Sequence, residues 1–174
     1  MRLLLILLTG LILLFGGKPA KNTGVYLEKG SQLIAYQITG EKGKVSFTHL
    51  DAGSYRISLL FPQQEGKYMD SKPKHRTMSK ASYNAKKKTY YYQGNEGFFA
   101  IKFGGMSKIK SENFKAVFKE EKDENDTYKI IVQFGAHGNN ASIDIAVEAL
   151  TASQYKKATD KASDISTLSI PNIR

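Results

Sequence analysis

The chain has 174 residues, a net charge of +10 at pH 7 and no cysteine. Its length provides for one ordinary domain, or two very small ones. The lack of cysteine excludes disulfides, thiolate zinc sites and a cysteine nucleophile. The basic balance favours anionic partners such as phospholipid, acidic polysaccharide or nucleic acid, without choosing among them.

Met1 and Arg2 form a short positive start, and Leu3 to Phe15 is almost wholly apolar before Gly16-Gly17-Lys18-Pro19 breaks the run. An apolar stretch of about thirteen residues suits a secretory signal and falls short of the roughly twenty needed to cross a bilayer. Residues 1–17 are therefore set aside as a signal peptide, and 18–23 as a linker. With the signal removed no transmembrane span is expected. Without cysteine a lipoprotein anchor is excluded. The expected location is extracytoplasmic, whether periplasmic, cell-surface or secreted. An exported chain of this size without disulfides points to a bacterial envelope protein. Export makes nucleic acid the least favoured partner.

From residue 24 to 62 the pattern is that of strands. Val25-Tyr26-Leu27 opens it; Ile34, Tyr36 and Ile38 alternate; Val45 and Phe47 follow; then Tyr55, Ile57, Leu59 and Phe61. Period two aims each set at one face of a sheet. Gly30, Gly40, Gly43 and Gly53 separate the runs, as hairpin turns require. Residues 63–89 are polar and basic, with Lys67, Lys72, Lys74, Arg76, Lys80, Lys86, Lys87 and Lys88 set against Asp70 among the aspartates. Such a stretch buries too little apolar surface to offset its ordering, and a long basic loop is expected.

Strand patterns resume at Tyr90-Tyr91-Tyr92, continue through Phe99, Ile101 and Phe103, and recur at Phe114, Ala116 and Phe118. Helical spacing also fits the last of these, but the strong strand of Ile130, Val132 and Phe134 just beyond a charged turn at 120–127 favours a hairpin. Ile143, Ile145, Val147 and Ala149 alternate with Asp144, Ala146 and Glu148, giving one wet face. Thr151 and Gln154 have capping-box spacing, which predicts a short helix over 152–163. The fold class is thus all-β: an antiparallel sandwich of immunoglobulin-like or prealbumin-like kind over 24–150, with a C-terminal segment 151–174.

The run Thr39-Gly40-Glu41-Lys42-Gly43-Lys44-Val45-Ser46-Phe47, followed by Leu50-Asp51-Ala52-Gly53-Ser54-Tyr55-Arg56-Ile57, resembles the core hairpins of transthyretin-like folds. Carboxypeptidase regulatory-like domains and the B-type repeats of bacterial adhesins are among these. The resemblance covers residues 24–62 and implies a structural or binding sandwich without catalysis. Some adhesin repeats carry a lysine–asparagine isopeptide bond, but the strand from Ala141 to Ala149 has no asparagine.

Candidate chemistry is sparse. His49, His75 and His137 are scattered, with no His-x-x-x-His pair and no Gly-x-Ser-x-Gly elbow. Asp123, Asn125 and Thr127 lack the glycine and closing glutamate of a calcium loop. No cofactor or metal is expected. Asn125-Asp126-Thr127 and Asn140-Ala141-Ser142 match the N-glycosylation tripeptide, silent in a bacterial protein. A hydrolase using Glu120-Glu121, or Asp144 with Glu148, ranks last, because a charged turn and a wet strand face explain those carboxylates. The foremost constellation is Tyr90, Tyr91 and Tyr92 beside Lys86, Lys87 and Lys88, with Lys74 and Arg76 in the same basic segment. Tyrosines can stack on sugar rings while lysines hold acidic groups. Core packing competes for the tyrosines, and simple solvation for the lysines. Two binding modes follow: a glycan or envelope-protein contact through loops or a sheet edge, or electrostatic attachment of segment 67–88 to an anionic surface.

Overall fold

The structure is a computed structural model and describes residues 16–68, 80–110, 115–119 and 129–165. The expected signal segment up to residue 15, the loop positions Lys74, His75 and Arg76, and the charged turn 120–127 lie outside the described residues.

The chain folds as an antiparallel β-sandwich with one short C-terminal helix. In chain order the strands are β1 (Lys18–Pro19), β2 (Gly24–Lys29), β3 (Gln32–Ile38), β4 (Lys44–Leu50), β5 (Gly53–Leu60), β6 (Lys80–Asn84), β7 (Thr89–Gly94), β8 (Gly97–Ser107), β9 (Lys115–Lys119), β10 (Lys129–Ala136), β11 (Ala141–Leu150) and β12 (Ser163–Asp164). Helix α1 (Ala152–Thr159) precedes β12. A five-stranded sheet has the order β3-β2-β5-β10-β9. A seven-stranded sheet has the order β1-β11-β8-β7-β6-β12, with β4 also on β11.

Period two sends alternate side chains inward from both sheets. Val25, Leu27, Ile57, Leu59 and Val132 on one side meet Phe99, Ile101, Ile143, Ile145 and Val147 on the other, all essentially buried. Each such side chain contributes about 1.5–3 kcal/mol by leaving water, so this layer dominates the fold's stability. The ambiguous stretch is a strand over its described residues, 115–119: β9 pairs with β10, Ala116 opposite Val132.

Three expectations are corrected. First, residues 18–23 are not a linker. Lys18 and Pro19 pair with Ala149 and Glu148, the Ala20 amide donates to the Val147 carbonyl at 2.9 Å, and the buried Thr39 hydroxyl donates to the Ala20 carbonyl at 2.6 Å. Small buried residues let the segment lie flush against β11. Second, the basic stretch is not a loop throughout. Lys80–Asn84 is strand β6, paired on one side with β7 and on the other with β12. Partners distant in sequence order this polar segment, which composition alone cannot register.

Third, the glycine turns at Gly43 and Gly53 are not hairpins. β3 and β5 belong to the five-stranded sheet and β4 to the other, so both connections are arches between layers. Leu50 and Tyr55 still fill the core at the second arch. The Tyr55 hydroxyl donates to the Asp51 carbonyl at 2.6 Å, and its ring stacks on Phe134 at 5.4 Å. At the first arch Gly43 has φ of +65°, and a Cβ there would overlap the Val147 carbonyl.

The helix begins where expected. Thr151 accepts from the Gln154 amide at 3.2 Å, and the Gln154 side chain accepts from the Thr151 amide at 2.9 Å. α1 lies on the outer face of the larger sheet. Tyr91, Phe98, Ala100 and Leu150 form a second small core there with Ala158, flanked by Tyr155.

Candidate functional site

The tyrosine constellation sits on β7, an interior strand between β6 and β8. Alternation points Tyr92 into the main core, where its ring stacks on Phe61 at 4.7 Å. Tyr91 points the other way and is covered by α1, its ring 6.4 Å from Tyr155. Both are fully buried. The ligand-contact expectation therefore fails for Tyr91 and Tyr92, because helix and sheet cover both faces of the strand. Tyr90 is half-buried. Its ring stacks on Tyr83 across the hairpin at 4.4 Å and meets the edge of Phe103 at 5.7 Å. Burial, with a smaller contribution from Tyr83, pushes the Tyr90 hydroxyl up to about 12.

Lys86, Lys87 and Lys88 are exposed in the tight turn joining β6 to β7. The buried Asn84 side chain accepts from the Lys87 amide at 3.0 Å, the Thr89 hydroxyl donates to the Lys87 carbonyl at 2.9 Å, and Lys88 takes φ of +49°. The turn thus places three cations at one end of the hairpin, with only Tyr90 of the three tyrosines keeping a surface beside it. Lys74 and Arg76 lie outside the described residues.

The remaining candidates scatter. His49 is exposed at a bulge in the β4–β11 ladder, with φ of +57°, which gives it a backbone role. His137 is exposed in the turn before β11. Asp144 on the wet face of β11 accepts from the Ser46 hydroxyl at 2.6 Å. Glu148 lies four residues along, beside the buried Gly17. Among the described residues no group of three or more histidines and carboxylates converges as a metal site. A polar groove of about 500 Å³ runs between Lys18–Asn22, Glu41 and Pro62–Glu65. Its Lys21 and Glu41 form an exposed ion pair at 3.3 Å.

A different surface was missed by sequence reasoning. Ile34, Tyr36 and Ile38, expected to face the core, are 46%, 47% and 53% exposed, and Leu33 is 55% exposed. β3 is an edge strand, and its inward positions are Ala35, packed against the core, and Gln37, whose side-chain amide donates to the Ser46 carbonyl on β4 at 2.9 Å. The outer stripe continues onto β2, where the Tyr26 ring lies 4.5 Å from Tyr36. Of the five large hydrophobic side chains exposed among the described residues, four sit on β3. The available signal was the absence of any charge from Gln32 to Ile38, with apolar residues at both parities.

Compared with models of known families, with curated proteins and with solved structures, the chain finds no match.

Proposed function

We propose that the chain is an exported, non-catalytic β-sandwich module of the cell envelope, of transthyretin-like kind, that binds a protein partner along the open edge of β3. The observation that carries this reading is the exposed row of Leu33, Ile34, Tyr36 and Ile38 on an edge strand with no charged residue. Open edges offer unpaired backbone groups to an incoming strand, while alternate side chains supply specificity. An uncharged apolar edge suits a polypeptide better than a glycan. Burial of Tyr91 and Tyr92 reduces the sugar-stacking alternative to Tyr83 and Tyr90. The test is capture from an envelope extract by immobilised residues 18–174, beside the same chain carrying Tyr36→Lys. The expected result is a retained protein that the variant loses. Equal retention by both would refute the edge, and a glycan array binding the wild type would favour the sugar.

A second reading keeps electrostatic attachment to an anionic surface. It is favoured by Lys86, Lys87 and Lys88 standing exposed on one turn. Each cation near such a surface contributes about 1 kcal/mol. Binding to anionic vesicles should fall as salt rises, and charge reversal at these lysines should abolish it. Salt-independent binding would count against it.

A further inference from the structure

We propose that the outer face of the larger sheet carries an anion site, a shallow cleft between Lys44 and Lys102 that takes a single phosphate group. It is separate from the β3 edge and from the lysines of the β6–β7 turn.

The site is built by register. On β11, Ala146 stands opposite Lys44 of β4 on one side and Lys102 of β8 on the other. Both ladders run without a shift from Asp144 to Ala146. Residues directly opposite in antiparallel strands share a face and lie about 4.5–5.5 Å apart. The two lysines therefore flank the alanine from both sides of the wet face. Each ammonium is a point charge on a flexible four-carbon stem, which lets both reach one anion above Ala146. The floor is small, because Gly104, next on that face of β8, has open space where a Cβ would stand. The cleft encloses about 160 Å³. That is several times the ~30 Å³ share of one water and below the roughly 300–1,000 Å³ of pockets for drug-sized ligands. The size suits one ionic group rather than a chain of sugars.

Its charges are unbalanced. Lys44 is exposed and Lys102 half-buried, and among the described residues neither has an ion pair. Two carboxylates share the face without pairing with them. Asp144 accepts from the Ser46 hydroxyl at 2.6 Å, and its other oxygen lies against Gly105, where a Cβ would overlap it. The Glu148 carboxylate lies beside Gly17. Two like charges thus converge over one floor, and an anion between them relieves the repulsion. Hydrogen bonds from an ammonium to phosphate oxygens are charge-assisted and among the strong ones. A tetrahedral phosphate offers separate oxygens to lysines on opposite sides, which the two oxygens on one edge of a carboxylate do not.

The experiment is a heteronuclear NMR titration of residues 18–174, which hold every described strand, with inorganic phosphate against sodium chloride at matched ionic strength. The expected result is saturable shifts at Lys44, Ala146 and Lys102 with phosphate alone. Lys44→Gln and Lys102→Gln should each weaken binding at least about fivefold. Lys102→Arg, which keeps the charge, should retain it. Asp144→Asn leaves an oxygen for Ser46 and should strengthen binding about two- to fivefold by removing a nearby negative charge. Replacing Lys86, Lys87 and Lys88 with glutamine should weaken it less than either cleft variant. Amide signals unchanged away from the cleft show that each variant folds. Vesicles of phosphatidylcholine with and without phosphatidic acid separate the sources. Attachment that needs phosphatidic acid and both cleft lysines assigns a lipid headgroup, and inert vesicles assign a soluble phosphate. Shifts that match those of chloride, or that survive both glutamine variants, reduce the cleft to ordinary surface charge and overturn the inference. So does weaker binding in Asp144→Asn, since the anion would then not lie beside that carboxylate.

Discussion

Gly43 shows how one residue fixes the junction of three chain segments. Its φ of +65° is costly for any side chain, and a Cβ would overlap the Val147 carbonyl and lie 2.9 Å from the Ala20 nitrogen. Gly43→Ala should cost about 2–4 kcal/mol in urea denaturation, from strained backbone plus a clash that backbone atoms cannot relieve. Gly40→Ala, three residues away with open space around the site, should change stability by no more than about 0.5 kcal/mol. The tyrosines carry a pH signature of the same packing. Burial pushes Tyr90, Tyr91 and Tyr155 up to about 12 from the ordinary 10.0. A hydroxyl whose folded value is raised contributes stability that is fully present below the unfolded value and lost as pH rises through the folded one. Stability should accordingly fall between about pH 10 and 12. Spectrophotometric titration should show a late-ionising fraction among the ten tyrosines. A single ordinary transition for all of them would contradict their burial.

At the scale of elements, what the sequence made legible was local and what it hid was non-local. Alternation identified most of the strands, since side-chain direction depends only on the pleat. It did not identify neighbours. The row Ile34, Tyr36 and Ile38 reads as a core face until β3 is known to be an edge, and Gly43 and Gly53 read as hairpin turns until the flanking strands fall in different sheets. β6 was hidden because Lys80–Asn84 offers only Ala81 and Tyr83 as apolar residues, and its order comes from β7 and β12. The tyrosine candidates failed for a related reason: nothing local says that α1 will cover Tyr91. The helix itself was legible because capping is local chemistry. Thr151→Ala removes the hydroxyl that accepts from the Gln154 amide and should cost about 1 kcal/mol. Hydrogen exchange should locate the loosening in Ala152–Thr159 and leave β5 and β11 unchanged.

Across the whole molecule, two cores share one sheet. The large one lies between the sheets, and the small one lies beneath α1, where Tyr91, Phe98 and Leu150 are buried on the outer face of β7, β8 and β11. The segment after Leu150 therefore acts as a third layer that makes a central strand apolar on both faces. Its removal should be felt differently from a core mutation. A chain ending at Thr151 keeps every side chain of the main core named in the sandwich, but returns Tyr91, Phe98 and Leu150 to water, each at about 1.5–3 kcal/mol if fully exposed. It also uncovers the edge of β6 that β12 protects. The expected product retains a β-type far-ultraviolet spectrum, binds a hydrophobic dye and aggregates through its new apolar patch and open edge. A truncated chain that stayed monomeric, bound no dye and melted like the full chain would mean that the outer layer contributes nothing. The burial of Tyr91 and Leu150 would then have no energetic consequence.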